Sequence, residues 1–202
     1  GFRQDIFTRQ VATLNAEERR DHFRRQAFLL IAQPHSVRLK GPSPWGELDL
    51  GARGCAPVMN AMAELGDGPH TLADIEAALP DIAIDDLITR IIMLAAVNVV
   101  RPALSSAEQE IAAPRCAALN AYVLGLSGDN GAVLASPVLG AGVRVTPLEK
   151  AFIAAYASGK HTAEAIAPAL AGHSELYGRS AHEVAATMFA TSLAHFCAMR
   201  LC

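Results

Sequence analysis

The segment Pro57–Leu79, PVMNAMAELGDGPHTLADIEAAL, recurs about ninety residues later as Pro147–Leu170, PLEKAFIAAYASGKHTAEAIAPAL. Pro57 aligns with Pro147. After a one-residue insertion His70-Thr71 aligns with His161-Thr162, Ile75 with Ile166, and Leu79 with Leu170. A repeat of this length means two copies of one small folding unit, each built around a helix-turn-helix. Composition agrees. The hydrophobic fraction of 51% is carried largely by Ala, with aromatics at 5%, which suits closely packed helices better than a sheet sandwich.

Punctuation along the chain gives the elements. Asn15 with Glu18 is a capping box opening a first helix from about Ala16 to Ala32. Pro34, Pro42 and Pro44 break the pattern, and the runs SVRLK and GELDL alternate as short strands of a small β-ribbon. Pro57 opens a helix to about Leu65, Thr71 with Asp74 caps a helix to Leu79, and Asp85-Asp86 begin a third. VVRPAL, residues 99–104, reads as a strand. That is the element order of a winged helix.

The second unit follows a Ser- and Glu-rich linker, SSAEQE, with a helix expected from about Pro114 to Gly125 and a loop at SGDNG. VLASPVL and GVRV are the matching strands. Thr146-Pro147 with Glu149 opens the next helix, Thr162 the one after, and Ser180 with Glu183 a long last helix to about Met199. Its apolar residues cover a broad arc, so it is expected to be buried on more than one side, between the modules or against a partner. The expectation is a mainly α chain with small β-wings, an α+β fold of tandem winged-helix-like modules. Residues 1–35 form an N-terminal segment and helix, residues 36–104 module one and residues 105–202 module two.

Chemistry of its own has little support. The seven histidines show no pairing with His or Cys at helical metal-ligand spacing. The glycines do not match phosphate-loop or dinucleotide spacing, and no G-x-S-x-G elbow is present. The recurrence of His70 and His161 before a helix-opening Thr points to a role in holding the inter-helix turn. Of the four cysteines, Cys55, Cys116, Cys197 and Cys202, none form a C-x-x-C pair, and they read as buried free thiols of a cytoplasmic protein. No apolar run has the length of a membrane span.

Charge is asymmetric. Residues 1–40 carry eight Arg/Lys against four Asp/Glu, and the rest nine against sixteen. The basic stretch fits either a solvated helix face paired with Glu17, Glu18 and Asp21, or contact with an acidic partner or an upstream domain. A groove-reading third helix would need Arg, Lys, Asn or Gln. Module one offers Asp85, Asp86 and Arg90, and an acidic helix repels phosphate, so nucleic acid is not the expected partner.

The opening FRQDIFTRQ, then SPWGELDL, PVMNAMAEL and IIMLAAVNVVRP together resemble the methyltransferase regulatory domain family over nearly the whole chain. The resemblance implies a non-catalytic regulatory or substrate-presenting domain, C-terminal to a bacterial S-adenosylmethionine-dependent methyltransferase domain of the protein-lysine type. The cofactor is then expected in the upstream domain and none in this segment. Phe2, Arg3, Gln4, Asp5, Phe7 and Arg9 match the family pattern and are placed by it at the junction with the catalytic domain, with Gln10 standing where Gly often follows. The abrupt start at Gly1 is what a segment of a longer protein would show. The alternative is a tandem winged-helix adaptor or DNA-binding transcription factor.

Overall fold

A computed structural model describes residues 14–32, 34–43, 46–126 and 130–202. The chain is mainly helical, with three small antiparallel sheets.

Helix α1, Ala16–Arg25, begins at the Asn15–Glu18 capping box as expected. It is shorter than the sequence predicts. At Gln26 the backbone turns extended, and Ala27–Leu30 form strand β1 instead of two further helical turns. The reason lies in the uninterrupted run AFLLI. A surface helix would expose part of such a run, whereas a strand covered on both faces uses every residue. Phe28 and Leu30 pack into one hydrophobic cluster, Ala27, Leu29 and Ile31 into another.

A 3-10 turn, Pro34–Ser36, leads to the hairpin β2, Lys40–Ser43, and β3, Gly46–Asp49. The first ribbon strand therefore starts at the end of SVRLK, because residues 34–37 are spent on the turn, where the Val37 amide donates to the Pro34 carbonyl. Next come α2, Ala56–Leu65, β4, His70–Thr71, α3, Leu72–Ala78, α4, Ile84–Ala96, and β5, Val100–Ala103. Strand β1 is the middle of the sheet β4-β1-β5, pairing Phe28 with His70 and Leu30 with Val100. Against one face lie the fully buried Val58, Met62, Leu72, Ile75, Leu87 and Leu94.

The second lobe opens with α5, Ser106–Gly125, twenty residues long. Its start is eight residues earlier than expected, at the capping box of Ser105 and Glu108, and Pro114 lies inside it. A hairpin follows, β6, Ala132–Ser136, and β7, Ala141–Val145. Then come α6, Pro147–Ala157, α7, Ala163–Leu170, a 3-10 turn at Ser174–Leu176, α8, Ala181–Thr191, and α9, Leu193–Ala198. The single long last helix is thus divided at Ser192. Thr187 and Thr191 hydroxyls donate to the carbonyls four residues back, each at 2.8 Å, a pattern that bends helices. Phe152 centres this core, its ring 5.2 Å from that of Phe189 and 6.3 Å from that of Phe196. The terminal helices pack here, inside the second lobe.

The lobes meet at a seam. The Leu104 amide donates to the Val138 carbonyl at 2.8 Å. Gly140, at φ 59°, lies against Leu104, where a Cβ would come within 3.0 Å. From α2 to β5 the three helices and the closing strand fall in the order read for module one, with β4 an added strand between the first two helices. In the second lobe the hairpin precedes the helices, and among the described residues no strand follows α9.

Candidate interaction surface

Phe2, Arg3, Gln4, Asp5, Phe7 and Arg9 lie outside the described residues, as does most of the SGDNG loop. Two arginines of the basic N-terminal stretch turn inward, while Arg19 and Arg25 are exposed. Arg20 makes a paired contact with Asp85 of α4, at 2.9 and 2.6 Å, and Arg24 another with Glu76 of α3, at 2.8 and 3.0 Å, with a third bond to Asp21. Both readings of that stretch had its arginines facing neighbours on α1 or a partner. Of the two, Arg24 does meet Asp21, but the two-pronged bonds clip α1 onto the first lobe. Hydrogen bonding to the guanidinium groups holds the Glu76 and Asp85 carboxyls below their ordinary range.

The repeated histidines differ in use. His70 Nε2 donates to the Gly66 carbonyl at 3.0 Å, closing the turn between α2 and α3. His161 instead meets Tyr156 edge-on, ring centres 4.6 Å apart. Among the described residues, no cluster of three or more His, Cys, Asp or Glu side chains is placed to hold a metal. Of the cysteines only Cys55 is buried; Cys116 is half-buried, and Cys197 and Cys202 are exposed. That corrects the expectation of four buried thiols. Helix ends leave thiols at the surface when the buried stripe falls elsewhere, as it does here on Phe196 and Leu201.

The surface the sequence does not reveal is on α5. Its buried residues are Gln109 and Asn120, while Ile111 is 78% exposed, Leu119 51% and Tyr122 67%. At about 100° per residue the three apolar side chains fall on one face, with Arg115 among them and Leu126 continuing the line just past the helix end. Gln109 and Asn120 fall on the opposite face. The inversion is stabilised from within. Asn120 Nδ2 donates to the Ala135 carbonyl at 2.9 Å and Oδ1 accepts the Ala135 amide at 2.7 Å, so one side chain continues the edge of β6. Gln109 donates to the Leu104 carbonyl at 2.8 Å. Lys150 fixes the far end through the Leu126 carbonyl, at 2.8 Å. These polar residues satisfy buried backbone groups, Val123 and Leu124 pack on the core, and Ile111, Leu119 and Tyr122 are left for water.

At the seam a cleft of about 510 Å³ draws Arg101 from β5, Arg144 from β7, His195 from α9 and Asn98 from the turn after α4. Neither guanidinium has a partner among the described residues. On α4, by contrast, Asp85 is held by Arg20, and the one cation, Arg90, donates to the Gly54 carbonyl at 3.2 Å.

Among the described residues, no helix is long and apolar enough to cross a membrane. No protein-family profile matches the chain, and no solved structure matches it. It is 28% identical over 158 residues to an uncharacterized protein of Synechocystis sp.; the match takes in 76% of this chain and 31% of that protein. The chain thus spans about a third of the length of the curated relative that it is similar to.

Proposed function

We propose that this chain is a non-catalytic regulatory or substrate-presenting domain of a bacterial S-adenosylmethionine-dependent methyltransferase, with winged-helix-like modules as its scaffold. The observation that carries the reading is the outward apolar face of α5, Ile111, Leu119 and Tyr122, on a helix whose most buried residues are the polar Gln109 and Asn120. Contiguous exposed apolar surface of this kind marks protein contact, and large aromatic and aliphatic anchors supply most of the energy of such contacts. The resemblance names the partner as the upstream catalytic domain, which would hold the cofactor. A relative of which the match occupies under a third is in keeping with such an arrangement. The seam cleft, with Arg101 and Arg144, then offers a place for a protein substrate segment. Phe2, Arg3, Gln4, Asp5, Phe7 and Arg9 would form the covalent junction between the two domains.

The adaptor or transcription-factor reading has weaker support. Groove reading needs cations on α4, and Arg90 is spent on Gly54 while Asp85 and Asp86 stay acidic. A salt-dependent gel shift with duplex DNA would move the assignment there, and calorimetric binding of S-adenosylmethionine by this chain alone would move it to an enzyme.

The main test is Leu119→Ser combined with Tyr122→Ser in the full-length protein. The fold, checked by circular dichroism, is expected to survive, since both side chains already face water. Methylation rate or substrate choice is expected to change about tenfold, equal to roughly 1.4 kcal/mol of lost contact. If neither this variant nor deletion of residues 15–202 alters methylation, the reading is wrong.

A further inference from the structure

Two thiols remain outside both surfaces, and the fold brings them together. Cys197 belongs to α9, Cys202 follows five residues later, and their sulfurs are 3.2 Å apart, both unpaired and exposed. The chain reversal between them has the bonding of a Schellman turn. The Leu201 amide donates to the Phe196 carbonyl and the Arg200 amide to the Cys197 carbonyl, each at 2.9 Å, with Arg200 at φ 52°.

The turn is fixed on several sides. Leu201 is buried, Ser136 Oγ donates to the Met199 carbonyl at 2.7 Å, and Arg200 pairs with Glu110 of α5 at 2.8 Å. The two sulfurs are therefore held near each other before any bond forms, and joining them costs little chain entropy. A disulfide requires its sulfurs at about 2.0 Å, a closure that χ rotation of two exposed side chains can supply.

We propose that Cys197 and Cys202 form a reversible redox modification site, a dithiol that a low-molecular-weight disulfide of the glutathione class converts to an intramolecular disulfide. In the first step the Cys197 thiolate attacks one sulfur of the oxidant, forming a mixed disulfide and releasing one thiolate. In the second the Cys202 thiolate attacks the Cys197 sulfur and releases the other. Two protons leave the protein; its two thiols are oxidised by two electrons and the oxidant is reduced to two thiols.

The order of attack follows from the surroundings. Burial of the sulfur, then the hydrogen bond and charge of Cys197, push the Cys202 thiol up to about 12, although the residue as a whole keeps exposed surface. Cys197 therefore acts first. Once Cys197 is a mixed disulfide it no longer carries charge, that part of the upward push disappears, and Cys202 can resolve it. Cys55, buried and with its thiol raised mainly by burial, takes no part.

The site holds whether or not the chain docks a methyltransferase. Its test is incubation of the native chain with glutathione disulfide, followed by acid quench, intact mass and peptide mapping. The expected product has two of its four thiols lost, a mass lower by two hydrogens, and a single bridge between Cys197 and Cys202. Cys202→Ser is expected to stop at a glutathione adduct on Cys197, and Cys197→Ser to leave Cys202 unmodified. A stable glutathione adduct on the native chain, a bridge to Cys55 or Cys116, or four unreacted thiols would each overturn it. Both serine changes are at exposed positions, so folded variants are expected, and circular dichroism checks this.

Discussion

The two copies of the repeat share a pair of helices, α2 and α3 in one, α6 and α7 in the other, and differ in how the turn between them is held. In the first, His70 and Thr71 form strand β4 on the edge of β1, and Thr71 with Asp74 makes a full capping box, with the Asp74 carboxyl lowered by the Thr71 hydroxyl and amide. In the second, His161 and Thr162 are not in a strand, and Thr162 caps α7 through the Ala165 amide alone. The missing box is local, because Ala165 stands where the first copy has Asp74. The missing strand is a matter of the neighbour: the first copy has β1 beside it, offering free backbone groups, and the second does not. Two residues make a strand only where a third segment supplies the other half of the ladder, so tertiary context decides the strand.

Three measurements would break or sharpen that comparison. The largest effects are expected from the two cores. Phe152→Ala in the second lobe is expected to cost about 3–5 kcal/mol and Leu72→Ala in the first about 2–5 kcal/mol. With β1 contributing to both clusters, chemical denaturation followed by circular dichroism should show each variant lowering one common transition; two transitions, each moved by one variant alone, would mean that the lobes unfold separately. Next are the caps. Thr71→Ala is expected to cost about 1–2 kcal/mol and Thr162→Ala about 0.5 kcal/mol, because the first also loses its reciprocal bond to Asp74. Equal losses in thermal melts would show that the strand and box of the first copy add nothing.

The smallest effect concerns how α1 is held. The Glu76 carboxyl titrates below its ordinary value because Arg24 bonds its charged form. A depressed folded pKa gives stability that is fully present above the unfolded value and lost as pH falls through the folded one. Wild type should therefore melt above Glu76→Gln at neutral pH, with the gap closing on acidification below about pH 4. The pair is partly exposed, with side chains 35% and 29% accessible, so the gap should also shrink with added salt. A gap that stays constant from neutral to acid pH would assign the effect to packing instead.

Much of the helical punctuation is legible from the sequence, because capping boxes are local chemistry. Asn15, Thr71, Thr146 and Ser180 each start a helix where their spacing to an acidic residue predicts. The fifth, Ser105 with Glu108, has the same spacing and was hidden by its Ser- and Glu-rich surroundings and by Pro114, which reads as a helix start. Strand β1 is hidden for another reason. AFLLI after a capped helix looks like continuation, and only partners that arrive at residues 70–71 and 100–103 show it to be a strand. The outward face of α5 is less visible still. Hydrophobic periodicity points apolar residues inward, and here Asn120 reverses the rule by completing β6. Cys197 and Cys202 escape spacing rules because the turn that joins them places Arg200, not Gly, in the left-handed position.

Strand β1 also sets how this chain can vary. Its residues alternate between two cores, Phe28 to one and Leu29 to the other, so inserting or deleting a single residue there would swap the faces and empty both at once. The turn between α6 and α7 can lengthen without that penalty, since Ser158, Gly159 and Lys160 are exposed and surface loops accept added residues cheaply. Length differences among homologues should therefore collect there, while the spacing from Gln26 to Ile31 stays fixed.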